Sequence, residues 1–345
     1  MAATISRWIL IGGFIAFLGL PALDMNLHFA PRYEASEKRQ LTPLPALAWN
    51  QLGTFPAAFE DYFRDHFGFR DFLIRWYSLA QVKVFHRSAV PNVIIGDGGW
   101  LFYAGYKDGA DIGEFQGKQP LSDSALEHRR QALEGRAALL KAHGVPYLFV
   151  IAPNKHSVYP EYLPARIGPR RPGNHLDQFM AIMHDSTVPI VDLREALSAA
   201  RSTGDLYFKS DTHWNAAGGF VAYRAILEAA HKLVPAIHPR SSAEFKIEWS
   251  ARTGGDLANM LAMADSWSDT EVSYTLRPGA PARMPLTVVV IGDSFMWRVT
   301  PFLEQTFTGV REEGGFVLER ILADKPDLVI DECAERYLMA PDRQQ

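Results

Sequence analysis

From residue 125 onward the apolar positions of this chain switch between two periods. Helical spacing runs through residues 125–143, 176–185, 193–201 and 216–233, and short apolar runs at 147–151 and 189–191 fall between these stretches. The run LTVVVI at 286–291 is the clearest strand, and helical spacing returns around 298–307 and 317–323 before a last strand at 328–330. Strands alternating with helices predict a doubly wound parallel sheet flanked by helices. Residues 236–284 break the rhythm with Pro, Gly and Ser and read as an insertion that caps or shapes a site. Upstream, 55–88 carries Phe55, Phe59, Tyr62, Phe63, Phe67, Leu73 and Trp76 at helical spacing, an apolar face expected to pack onto the main domain. Residues 93–103 read as a hairpin turning at Asp97-Gly98, with Trp100 and Tyr103 as packing residues, stacking on sugar rings being the alternative.

The N-terminus follows neither period. Residues 5–23, ISRWILIGGFIAFLGLPAL, are apolar with Arg7 as the single charge. At about 1.5 Å rise per residue such a stretch can cross a hydrocarbon core of ~30 Å. No small-x-small cleavage signal follows it, so it predicts an uncleaved, single-pass signal anchor, a transmembrane helix. Arg7 and the free amine on the short side favour N-in, C-out. In a Gram-negative cell this puts the anchor in the inner membrane and the body in the periplasm. The expected organisation is anchor and flank over 1–37, linker over 38–54, and one domain over 55–340.

Composition narrows the class further. The chain has 345 residues, 48% of them hydrophobic, and a net charge of −4, with no Lys/Arg block suited to nucleic acid. Cys333 is the single cysteine, which excludes an internal disulfide and a cysteine-based zinc site. His28, His66 and His86 lack metal-ligand spacing, so neither a metal nor a cofactor is expected.

Two segments concentrate the chemistry. Gly292-Asp293-Ser294 follows the strand at 286–291 and precedes a helix. A serine there stands at the carboxyl edge of the sheet, where ligands bind, with helix N-terminal N–H groups behind it to hold an oxyanion. Gly292 allows close backbone approach. Serine needs a base, and Asp211-x-His213 offers an imidazole with a carboxylate two positions away, on the same side of an extended loop. Alone, Asp-x-His also reads as a turn and Gly-Asp-Ser as chance. Together they predict Ser294 as nucleophile, His213 as base and Asp211 as its orienter. The segment APNKH at 152–156 also follows a strand, making Asn154 a candidate oxyanion donor and Lys155 a candidate substrate contact, with a solvated turn as the alternative. Trp214 and Trp297 flank the proposed catalytic residues and are candidates for lining a sugar groove, or for wall packing.

The motifs DHFGFRD (65–71), GDGGWLFY (96–103), APNK with YPEYLP (159–164), DTHWNAAGG (211–219) and IGDSF (291–295) resemble the alginate O-acetyltransferase AlgJ/AlgX group over roughly 55–340. The resemblance implies an SGNH-hydrolase-like fold in which Asp-x-His precedes the serine. It implies acetyl transfer through an acylated Ser294 onto hydroxyls of an alginate-like exopolysaccharide, and a membrane-bound O-acyltransferase as acyl supplier. No carbohydrate-binding module like that of the two-domain members is expected after the last strand, which leaves the acceptor open. A carbohydrate esterase using water, or a non-catalytic subunit of a polysaccharide modification or export complex, are the alternatives.

Overall fold

A computed structural model describes residues 2–31, 41–105, 110–118 and 120–339. Positions 38–40 of the expected linker and residue 340 of the expected domain lie outside the described residues. Two compact units emerge. The first is 1–90 with 258–264, and the second is 91–257 with 265–345. The domain start expected at residue 55 is therefore displaced to about 91. The aromatic spacing at 55–88 predicts packing onto the main domain, but these helices belong to the first unit, in which Phe59, Phe63, Leu73 and Trp76 are exposed.

In the first unit, Ala2–Leu27 is one helix, and its segment Arg7–Leu27 is long and apolar enough to cross a membrane. Two helices follow, Phe55–His66 and Arg70–Leu79, and the second continues into one wide turn, Ala80–Val84.

The second unit opens with β1 (Val93–Ile95) and β2 (Leu101–Tyr103), an antiparallel pair turning through Asp97–Gly99. Its centre is a five-stranded parallel sheet built from β3 (Tyr147–Ala152), β4 (Ile190–Asp192), β7 (Met284–Ile291), β8 (Phe307–Glu313) and β9 (Leu328–Ala334). The order across the sheet is β4-β3-β9-β7-β8. Side chains alternate between its two faces, so Leu148, Val150, Val288 and Val290 pack into one core while Phe149, Ile151, Val289 and Ile291 pack into another. Helix Ala216–His231 covers the first face, and Asp123–Ala142 and His175–Ile182 cover the second. Burial on both faces explains why these strands are continuously apolar instead of alternating.

Two features go beyond the sequence expectations. The helix expected over 298–307 stops at Thr306, and Phe307–Glu313 is an edge strand that periodicity missed. Its mixed FTGVREE pattern reflects an edge position with partial exposure. The insertion at 236–284 contains β5 (Phe245–Thr253) and β6 (Ser268–Leu276), paired antiparallel as a nine-residue ribbon.

The last strand sits in the middle. β3 continues outward to β4 and β7 outward to β8, so the winding direction reverses across β9. The carboxyl ends of β3, β9 and β7 thus lie side by side at a topological switch point, the usual ligand position in open parallel sheets.

Candidate active site

β7 ends at Ile291, and Gly292, Asp293 and Ser294 form the turn that follows. Asp293 shapes this turn. Its Oδ1 accepts the Phe295 amide at 2.9 Å and its Oδ2 accepts the Ala334 amide at 3.2 Å, tying the turn to the end of β9. Beneath it, the Glu332 carboxyl accepts the Asp293 amide at 2.9 Å. Burial, reinforced by the Asp293 charge, holds Glu332 well above the usual carboxylate range. A Cβ on Gly292 would stand 2.5 Å from Met296 Cγ and 3.0 Å from this carboxyl, which explains the glycine.

The base arrives on the loop before helix Ala216–His231. Tyr207 bridges Trp214 in antiparallel fashion, and Asn215 caps the helix by accepting the amides of Ala217 and Gly218. Gly219 lets the helix close on the serine segment, since a Cβ there would overlap the Arg298 carbonyl oxygen. Sequence distance vanishes as a result. His213 Nε2 lies 2.7 Å from Ser294 Oγ, and His213 Nδ1 lies 2.7 Å from Asp211 Oδ1.

Asp211 is among the most heavily bonded groups in this part of the structure. Besides the imidazole, Oδ1 accepts the His213 amide at 3.1 Å, and Oδ2 accepts Arg252 Nη2 at 3.2 Å and the Asp256 amide at 3.3 Å. Burial pushes its carboxyl upward, but the bond and charge of His213, followed by Arg252, hold it well below the ordinary carboxylate range. Asp211, His213 and Asp256 bring ligand-type atoms within 4.8 Å of one another. Those atoms already have protein partners, because Asp256 accepts both the amide and the hydroxyl of Thr212 at 2.7 Å.

The ribbon supplies what the sequence reading missed. Arg252 on β5 and Asp269 on β6 face each other in register, and both reach the base loop. Arg252 bonds Asp211 and lies over the Phe208 ring, while Asp269 accepts the amide and hydroxyl of Ser210. The insertion therefore buttresses the loop. Its Arg and Asp carry no recognisable spacing, because β-pairing alone brings them together.

Lys155 departs from expectation. It is only 4% exposed, and its ammonium donates to the backbone carbonyls of Phe208 at 2.9 Å, Lys209 at 3.0 Å and Asp211 at 2.7 Å. Burial draws it down to about 7, against the opposing charges of Asp256, Asp211 and Asp269. It is a strut beneath the base loop, not a substrate contact. Asn154 is buried as well, with Arg336 3.4 Å from its side-chain oxygen, and it borders a small cavity with Asp111, Thr212 and Arg336. Trp214 is fully buried and donates its indole N–H to the Phe295 carbonyl at 2.9 Å, so it is core and not groove.

Trp297 faces the cleft. It is 69% exposed, lies near-parallel to the His213 ring at 6.2 Å, and with Gly292, Ser294 and Glu312 lines a cleft of about 270 Å³. The expected row of helical N–H donors behind Ser294 is reduced. A single short turn, Met296–Arg298, follows the serine, and Asp293 occupies the amides of Phe295 and Met296. Among the described residues, the Ser294 amide has no acceptor.

The family described as an SGNH hydrolase-like domain, acetyltransferase AlgX, matches residues 93–307. The chain belongs to that family. It is 26% identical over 184 residues to the probable alginate O-acetylase AlgJ of Pseudomonas putida KT2440, covering 52% of this chain and 44% of that protein. It is also 26% identical over 222 residues to the corresponding protein of Pseudomonas syringae pv. tomato, covering 63% and 53%. The chain thus spans about half the length of these curated relatives. The solved O-acetyltransferase domain of P. putida AlgJ superposes with a TM-score of 0.52 at 27% identity, over 74% of this chain and 94% of that one. Bacillus cereus PatB1, at 16% identity and a TM-score of 0.53 over 72% of this chain and 97% of that one, shares the fold.

Proposed function

We propose that this protein is a membrane-anchored O-acetyltransferase that moves an acetyl group through an acylated Ser294 onto hydroxyls of an alginate-like exopolysaccharide. The Ser294–His213–Asp211 relay, with 2.7 Å at both links, carries the reading. With Nδ1–H donated to Asp211, Nε2 is left as the acceptor for the serine proton. Ser294 Oγ attacks the acetyl carbonyl as His213 takes its proton, and the Ser294 amide receives the developing oxyanion. Protonated His213 then releases the leaving group. In the second half, a sugar hydroxyl in the cleft beside Trp297 gives its proton to His213 and attacks the acyl-serine; the carbonyl–Oγ bond then breaks and His213 returns the proton to Ser294 Oγ. The names of the curated relatives support acetyl transfer and an alginate-like acceptor. The apolar helix Arg7–Leu27 supports anchoring in the inner membrane, with the second unit in the periplasm. A membrane-bound O-acyltransferase is the acyl supplier in this reading.

The test uses the full chain in detergent with an activated acetyl ester, with and without alginate or a neutral glucan. Ser294→Ala should abolish turnover, and acetyl should appear on the polymer. Turnover surviving in Ser294→Ala refutes the acyl-serine. Acetyl delivered only to water converts the reading to an esterase.

A further inference from the structure

The first unit turns an apolar face outward where a soluble protein would place charge. Along Arg70–Leu79 and the wide turn after it, the exposed side carries Leu73, Trp76, Tyr77 and Val84, each more than half exposed, at helical spacing. Asp71 and Arg75 lie off that side, while the basic Arg70 and the exposed Lys83 border it. Arg70, Asp71 and Arg75 are half-buried, and Arg75 donates to the Ala262 carbonyl at 2.8 Å. The preceding helix repeats the arrangement. Phe55, Phe59 and Phe63 stack in a row along one side, while Glu60, Asp61 and Arg64 pair among themselves on the other.

Both helices are fastened to the end of the apolar helix. The Phe69 amide donates to Asp24 at 3.1 Å, the Phe69 ring meets Phe29 edge-on at 5.6 Å, and Gly68 packs so tightly on the Pro21 carbonyl that a Cβ would overlap it. We infer that these two helices lie flat in the headgroup layer of the same bilayer that Arg7–Leu27 crosses, with Phe59, Phe63, Leu73, Trp76, Tyr77 and Val84 facing the lipid.

Reach decides the orientation. The headgroup zone is roughly 5–7 Å deep on each side of the hydrocarbon. Val84 stands fifteen residues beyond Phe69, about 22 Å along a helix. An upright helix would carry Val84 through that zone into water, with its apolar side bare. A flat one keeps the whole face in the layer where Trp and Tyr are favoured, the apolar ring buried and the polar atom wet. Continuity with the lipid-facing surface of Arg7–Leu27 favours lipid as the occupant over a protein partner. The inference rests on the anchoring proposed above and adds that the protein grips the membrane surface as well as crossing it.

Spin labels on the full chain in liposomes test both parts separately. In a Cys333→Ala background, nitroxides are placed at Ile15→Cys, Trp76→Cys and, as a reference on the second unit, Leu139→Cys. Collisions with lipid-soluble oxygen and with a water-soluble nickel chelate are then measured. The expected result is Ile15 deep in hydrocarbon and Trp76 at intermediate depth, with chelate access well below that at Leu139. Trp76 as open to the chelate as Leu139, with Ile15 still deep, overturns the surface grip and leaves the anchor standing. Trp76 shielded from both reagents places protein over the patch and overturns the lipid assignment. Ile15 open to the chelate removes the anchor, and this inference with it.

Discussion

Replacing Lys155 with Met separates two roles for that residue. In the structure its ammonium donates to three carbonyls of the base loop, at 2.7–3.0 Å, from a site that is 4% exposed. A hydrogen bond to a charged group is worth about 1.5–3 kcal/mol, and each carbonyl left without a donor costs about as much. Met fills much of the volume but donates nothing. It also removes the cost of burying an ammonium, the cost that draws Lys155 down to about 7. The opposing terms leave a net loss of about 2–4 kcal/mol for Lys155→Met. For a unit of this size that corresponds to a fall of roughly 4–16 °C in Tm. Because the Asp211 carbonyl is one of the three acceptors, the turn that aims His213 loosens. kcat for the activated ester should fall while KM for the polysaccharide stays near the wild-type value. A substrate-binding lysine would give the reverse, a raised KM with Tm unchanged. That outcome would refute the strut.

Arg252→Met should lower kcat/KM by roughly fivefold, since a 3.2 Å bond from a side chain that is 30% exposed is worth about 1 kcal/mol after solvent screening; an unchanged rate would remove Arg252 from the relay. Asp211 is held below its unfolded range, so its contribution to stability is present above about pH 4 and is lost as pH falls through its depressed pKa. The stability gap between wild type and Asp211→Asn, measured by denaturation at stepped pH, should therefore be widest near neutrality and narrow progressively below about pH 4. A constant gap would mean that the Asp211 pKa does not change on folding. Trp297→Ala removes an exposed aromatic wall worth about 0.5–1.5 kcal/mol of stacking. KM for the polymer should rise by roughly twofold to tenfold, with Tm and ester turnover unchanged; a fall in Tm instead would make it a packing residue.

Much of the site was legible because its chemistry travels with local signals. A valine-rich run into Gly-Asp-Ser marks a strand ending in a turn, and Asn215 before Ala-Ala-Gly-Gly marks a helix start, so the nucleophile and the base could each be placed on a loop at a sheet edge. Gly292 signalled a close approach that the structure shows there. For Lys155, Asn154 and Trp214 the choice between cleft and packing was not legible in the sequence. Polar and aromatic residues beside a site look alike in sequence whether they face the cleft or the core, and only the packing tells which. Arg252 and Asp269 had no signal at all, because cross-strand pairing within the ribbon, not spacing along the chain, brings them to the loop. The strand at Phe307–Glu313 was missed because an edge strand lacks the unbroken apolar run that marks its buried neighbours.

By itself the sequence determined the alternating architecture, the apolar N-terminal helix and the three residue types of the relay. Each of these follows from periodicity, length or chemical necessity, which are properties of the chain read in one dimension. The tertiary structure decided that the last strand is the central one, lying between the strands that carry Lys155 and Ser294. It decided that 81 residues of separation become a 2.7 Å contact. It also decided that the lysine serves the loop and not the ligand. Those are outcomes of packing two helical layers on one sheet, where each side chain's partner is set by which surfaces must be buried together.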